Sequence, residues 1–207
     1  MFSRGATRKV GLLGGSFNPA HQGHRDISLA ALSYLGLDEV WWLVAPQNPL
    51  KPVAGMAPFA ERLAEARRVA RHPRIVVTDI EARLGTRYTA DTLRRLQQQF
   101  RAHRFIWLMG ADNLAQIGDW KDWQQIFHLL PIAVFDRPAY TYLALAAKAA
   151  RRFASFRQRE KAARNLALMP PPAWMFVHHR LNPISATEIR AKGQWLGQAA
   201  RVKRRDG

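Results

Sequence analysis

Gly14-Gly15-Ser16-Phe17-Asn18-Pro19-Ala20-His21-Gln22-Gly23-His24 lies between an apolar run and an amphipathic one. Upstream, Val10-Gly11-Leu12-Leu13 reads as a buried strand. Downstream, within residues 25–37, Ile27, Ala30, Ala31, Tyr34 and Leu35 recur at helical spacing. The stretch is therefore a strand-to-helix turn. Two glycines let the main chain come close to a ligand and aim its N–H groups inward. The helix that follows offers unpaired N–H groups and a positive dipole end, which suits a phosphate. His21 and His24 are three apart, so in a first turn from Ala20 to His24 they share a face. Two imidazoles beside an anion cradle can donate hydrogen bonds to phosphoryl oxygens as negative charge grows there.

Outward from this turn, strand and helix patterns alternate. Strands are expected over 39–46, 75–77, 105–109, 132–135 and, later, 174–177. Helices are expected over 58–72, with Leu63, Ala66 and Ala70 inward, over 90–100, with Leu93 and Leu96 inward, and over 120–130. Residues 140–168 read as a broken Ala- and Arg-rich helix, stopped by Pro170-Pro171-Pro172. This alternation implies an α/β fold with a parallel sheet and right-handed crossovers. Ligands then bind at the carboxyl ends of the strands, near the switch in strand order. Three polar segments follow strands: 14–24, 47–51 (a rigid loop with Lys51) and 110–113. All three fall on that one edge.

The whole chain sets bounds. Its 207 residues are 48% apolar, which argues for a globular protein. No internal repeat and no second apolar core stand out. One domain is expected over 10–193, with a basic arm over 1–9 and a short basic tail over 194–207. There are no cysteines, which excludes disulfides, thiolate metal sites and cysteine nucleophiles and fits a reducing cytosol. No apolar run has the length of a membrane span, and the first residues lack a signal-peptide core, so a cytoplasmic location is expected. The net charge of +17 suits nucleic acid, an anionic surface or phosphorylated substrates. Much of the excess lies in 151–164 and 201–205, without the interleaved aromatics of a strand-binding platform. Nucleic-acid binding is thus not the expected main role, although a basic RNA-binding module stays as an alternative. Nothing in these residues sets an oligomeric state.

The front motif is similar to the signature Gly-Gly-(Ser/Thr)-Phe-(Asp/Asn)-Pro-x-His-x-Gly-His of the nucleotidyltransferase superfamily of adenylyl- and cytidylyltransferases. Every fixed position is met. Near the other end, Asn182-Pro183-Ile184-Ser185-Ala186-Thr187-Glu188-Ile189-Arg190 has Ser185 and Glu188 at capping-box spacing, so a helix starts at Ser185. That run resembles the superfamily's Ile-Ser-Ser-Thr-x-Ile-Arg motif, with Ala186 replacing a serine and so removing one hydroxyl. Between them, Arg87-Tyr88-Thr89-x-Asp91-Thr92-Leu93, Gly110-Ala111-Asp112-Asn113, Trp120, Asn48-Pro49-x-Lys51 and Arg137-Pro138 look like nicotinate-nucleotide adenylyltransferases. The resemblance covers roughly residues 9–193. The short basic end after Gly193 departs from the family's usual closing helix.

The resemblance implies a Rossmann-like, doubly wound sheet in three α/β/α layers. It implies adenylyl transfer from ATP to nicotinate mononucleotide, giving deamido-NAD and pyrophosphate in NAD biosynthesis. Alternative acceptors are nicotinamide mononucleotide and phosphopantetheine. ATP would meet Gly14, Gly15, Ser16, Phe17, His21, His24, Gly110, Asp112, Ser185, Thr187 and Arg190. Nicotinate mononucleotide would meet Ser16, Phe17, Lys51, Tyr88 and Thr89, with Trp120 stacked on its ring. His21, His24, Lys51 and Arg190 are the expected catalytic groups. No protein metal site is expected: Mg²⁺ would be held mainly by the ATP phosphates and water. Asp79 and Glu81 are therefore left out of the site.

Overall fold

The computed structural model describes residues 7–47, 55–137, 140–178 and position 189. Asn48, Pro49, Lys51, Ser185, Thr187, Glu188 and Arg190 lie outside the described residues, and with them the expected capped helix at Ser185.

In chain order the elements are β1 (Lys9–Gly15), α1 (Gln22–Tyr34), β2 (Glu39–Val44), α2 (Phe59–Ala70), β3 (Ile75–Thr78), α3 (Ile80–Leu84) and α4 (Thr89–Gln99). There follow β4 (Arg104–Gly110), α5 (Ala111–Gln116), α6 (Trp123–Leu129), β5 (Ile132–Phe135), α7 (Thr141–Ala146), α8 (Lys148–Arg152), β6 (Arg157–Gln158) and β7 (Trp174–Val177). A 3₁₀ segment, Glu160–Leu168, leads from β6 towards β7.

The strands are apolar on both sides because both sides are covered. Along β2, Val40, Trp42 and Val44 enter one core cluster, and Trp41 and Leu43 enter the other. The first cluster packs under α1, α2 and the 3₁₀ segment; the second packs under α3 to α8. The result is three layers. The sheet thus divides the apolar interior in two, as three α/β/α layers require. A two-residue period sends alternate side chains to opposite faces.

All seven strands form one sheet of order β3-β2-β1-β4-β5-β7-β6, and every pairing is parallel. The chain builds outward from β1 to β3, then returns to β4 and builds the other way. The switch therefore falls between β1 and β4. Pairing puts Val44 beside Gly15, Gly110 beside Phe135, and Phe135 beside Val177. Leu13 pairs with Leu108, and both strands run two residues further, to Gly15 and Gly110. The carboxyl ends of β2, β1, β4, β5 and β7 thus form one row.

Several boundaries differ from expectation. β1 continues through both glycines, so the turn proper begins at Ser16. Gly110-Ala111-Asp112-Asn113 is no open loop, because α5 begins directly at Ala111. The expected helix over 120–130 starts only at Trp123, since Asp122 holds φ 53° and breaks the approach. Residues 140–168 contain the two-residue strand β6 between short helical pieces. There Arg157 lies over the Trp174 and Phe176 rings, 5.4 and 5.8 Å from their centroids, so tertiary contact overrides the helical composition. No helix among the described residues is long and apolar enough to cross a membrane.

Candidate active site

The site is built at the switch. At Gly14, a Cβ would collide with the end of the Trp107 ring, which reaches across from β4. At Gly15, a Cβ would sit 3.5 Å from the Phe17 ring, an ordinary contact. The two glycines therefore differ: the first admits a core tryptophan, and the second lies in ordinary contact with the Phe17 ring. Phe17 itself has φ 45°, a left-handed conformation that costs a non-glycine residue roughly 1–2 kcal/mol. Burial holds it there. Phe17 is 1% exposed, its ring stacked 5.0 Å from Trp42 and tilted against His24 at 4.7 Å. Phe17 is buried as a whole residue, main chain included. Ser16 is buried as well.

His21 caps the start of α1 with extended backbone, and the His24 main chain closes the first turn on it, N to O at 3.0 Å. The first turn of α1 carries no acidic side chain, so its positive end is not neutralised from within the helix. The two rings lie 3.8 Å apart between centroids, as their spacing predicts. The His21 backbone N–H donates to His24 Nδ1 at 3.2 Å. A nitrogen that accepts carries no proton, so in the neutral ring the hydrogen of His24 sits on Nε2. Trp42 Nε1–H donates to Ser28 Oγ at 2.7 Å, and that hydroxyl donates to the His24 carbonyl at 2.8 Å. The core thus holds the helix turn that presents His24.

At the end of β4, Gly110 precedes α5 with a Cβ position that the Asp112 carboxylate would occupy. Asp112 is paired through Oδ2 with Arg137 Nη1 at 2.9 Å, across to the exit of β5. Both side chains are mostly buried. Tyr88 and Thr89 open α4. The far end of α4 leads into the start of β4, so its opening turn lies at the carboxyl edge with the rest. Trp120 stands in the turn before α6, partly buried against the core. Its neighbour Lys121 places its ammonium 4.4 Å from the Tyr88 ring centroid. Trp120 and Tyr88 are thereby brought to one side of the site, and Gly14 to His24 with Gly110 and Asp112 to its middle.

Sequence reasoning missed three residues here. Lys121 carried no motif. Asn18 was part of the front motif but had no separate role. Its amide binds the far side of the loop, donating to the Gly55 carbonyl and accepting from Ala57 N–H, both at 3.1 Å. Arg62 looked like one of many helix charges, yet it is 1% exposed. Its position four before Ala66, on the inward stripe of α2, was the available signal.

Glu81 is not part of the cradle, but it underlies the Tyr88 turn. Burial pushes its carboxyl up to about 7, partly offset by a hydrogen bond with Thr92. The Thr92 hydroxyl also bonds Thr86 Oγ1 at 2.8 Å. The folded value lies above the ordinary 4.5. The folded state therefore holds the proton more tightly. That stabilisation is complete below the unfolded value and is lost as pH rises from about 4.5 through 7, on the order of 3 kcal/mol in all. Glu81→Gln should remove this term. Across pH 5 to 8 the melting temperature of the variant should gain several degrees on the wild type. Parallel melting curves at every pH would contradict it.

Comparison with known proteins agrees with this geometry. Residues 12–192 match the model of the cytidylyltransferase-like family. A protein of Cereibacter sphaeroides named "probable nicotinate-nucleotide adenylyltransferase" is 53% identical over 190 residues, covering 92% of this chain and 98% of its own length. A protein of the same name from Parvibaculum lavamentivorans is 53% identical over 187 residues, covering 90% of this chain and 93% of its own. The solved structure of Plasmodium falciparum nicotinic acid mononucleotide adenylyltransferase complexed with NaAD superposes with a TM-score of 0.67 at 14% identity, over 96% of this chain and 89% of that one. That last likeness concerns the fold: a Rossmann-like α/β nucleotidyltransferase architecture. With this identity over nearly full length, the chain belongs to the cytidylyltransferase-like family and, within it, to the nicotinate-nucleotide adenylyltransferases.

Proposed function

We propose that the protein transfers the adenylyl group of ATP to nicotinate mononucleotide, releasing pyrophosphate and forming deamido-NAD, a step of NAD biosynthesis. The observation that supports it most is His24. Its Nδ1 accepts from the His21 N–H, which places the proton of the neutral ring on Nε2, and it sits in the first turn of α1 at the β1/β4 switch. The 5′-phosphate of the acceptor attacks the α-phosphorus in line. One P–O bond forms, the bond to the β-phosphate breaks, and pyrophosphate leaves with the electron pair. The nucleophile is already an anion, so no general base is required. Catalysis is positioning and charge stabilisation.

In this reading the main chain of Gly14 to Phe17, the His21 and His24 imidazoles and the first turn of α1 hold the phosphates. Gly110 and Asp112 face the ribose of ATP. Ser185, Thr187 and Arg190 hold the β- and γ-phosphates, and Lys51 assists at the acceptor phosphate. Tyr88, Thr89 and Trp120 receive the nicotinate. The working unit is a single domain over 10–193. Among the described residues no three His, Asp or Glu side chains converge as a metal cage. Phosphate oxygens and water are the ligands proposed for Mg²⁺, an ion that dehydrates reluctantly and keeps several waters. Bound there, it neutralises charge on the triphosphate.

The test is pyrophosphate release with ATP and each of three acceptors: nicotinate mononucleotide, nicotinamide mononucleotide and phosphopantetheine. The nicotinate form should win by about 10²-fold or more in kcat/KM, because donors placed for a carboxylate stay unpaired when it is missing. Preference for either other acceptor would overturn the substrate assignment. Tight, salt-sensitive RNA binding without any pyrophosphate release would overturn the enzyme reading.

A further inference from the structure

Arg62 is a fully buried cation on α2 whose hydrogen bonds run to main-chain carbonyls. Nε donates to Ala57 at 3.0 Å, Nη1 to Ser16 at 2.5 Å and to Ala45 at 2.8 Å, and Nη2 to Pro46 at 2.6 Å. Ser16 belongs to the turn after β1, Ala45 and Pro46 to the exit of β2, and Ala57 to the approach to α2. Asn18 joins the first and last of these from the other side, through Gly55 and Ala57. Ala45 N–H closes the set on the Gly15 carbonyl at 2.9 Å. Burying a guanidinium without a carboxylate is expensive, and burial here depresses its proton affinity. A planar fork with five N–H groups is the side chain that can reach three separate strands of main chain at once.

We propose that Arg62 is a positioning residue that makes the phosphate turn after β1 and the exit of β2 one rigid unit, so that the two substrates meet in reactive geometry. This rests on the adenylyl-transfer reading for its kinetic consequence, though not for its structural one. Misplacement of reacting groups by about 1 Å can cost on the order of 10²-fold. The loss should fall on kcat, because each substrate still finds its own half of the site.

The experiment compares Arg62→Lys, which keeps the charge but not the fork, with Arg62→Met. For Arg62→Lys the expected result is a loss of about 10²-fold in kcat, with calorimetric affinities for ATP and for nicotinate mononucleotide each within a few-fold of wild type. Hydrogen exchange should show the Ala45 and Ala57 amides losing protection together. If Arg62→Met does not fold, Arg62→Lys carries the test by itself. Wild-type kcat in Arg62→Lys, or a rise in KM at unchanged kcat, would overturn the proposal. So would unchanged exchange at both amides. Should the wild-type protein make no dinucleotide, the functional reading fails, and the exchange measurement still decides whether Arg62 clamps these segments.

Discussion

Replacing His24 by alanine is expected to lower turnover by about 10²–10³ while the fold survives. Removal of one donor aimed at developing charge costs this much in comparable sites. The tautomer follows from structure: the His21 N–H donates to Nδ1, which places the proton of the neutral ring on Nε2. The ring is only partly buried, and its contacts are to Phe17, His21 and Trp42. Its loss should therefore cost little stability beside its kinetic effect. Because the donor acts on charge that grows in the transition state, kcat should fall far more than KM for ATP rises. Steady-state kinetics with a melting curve on the same preparation checks both halves. An intact variant with undiminished kcat would remove His24 from the chemistry.

The second large effect is structural. Gly14→Ala should lower stability by about 1–3 kcal/mol, because the new methyl must displace the Trp107 ring. That ring is 2% exposed and packed in the core, so it has nowhere to swing. For a chain of this size the melting temperature should drop by about 3–10 °C. Gly15→Ala is the control. Its methyl meets the Phe17 ring at 3.5 Å, an ordinary contact. Gly15→Ala should therefore keep its melting temperature. Equal melting temperatures for the two variants would show that Gly14 is not held by Trp107.

How far the sequence carries depends on which contacts are local. β5 and β7 are read with the observed bounds, and β2 nearly so, because continuous apolar runs bounded by Pro or loop residues leave little choice. The His21–His24 face follows from helical spacing alone. The start of α6 was misplaced because one residue, Asp122, takes a left-handed conformation that composition does not announce. β6 was missed because two residues make no pattern, and only pairing with β7 defines them. Arg62 was hidden for a different reason. A charged residue is taken for a surface residue unless its partners are known, and here they are carbonyls from one nearby and two distant segments. The Asp112–Arg137 pair likewise joins residues 25 apart, which no local pattern reveals.

The account stands or falls on which phosphorus is attacked. ATP labelled on its α-phosphorus, incubated with Mg²⁺, nicotinate mononucleotide and the protein, should deliver the label to the dinucleotide, and ATP labelled on its γ-phosphorus should deliver it to pyrophosphate. Label from the γ-position in the acceptor, or α-label that never leaves the adenosine mono-, di- or triphosphate pool, would contradict adenylyl transfer at this site.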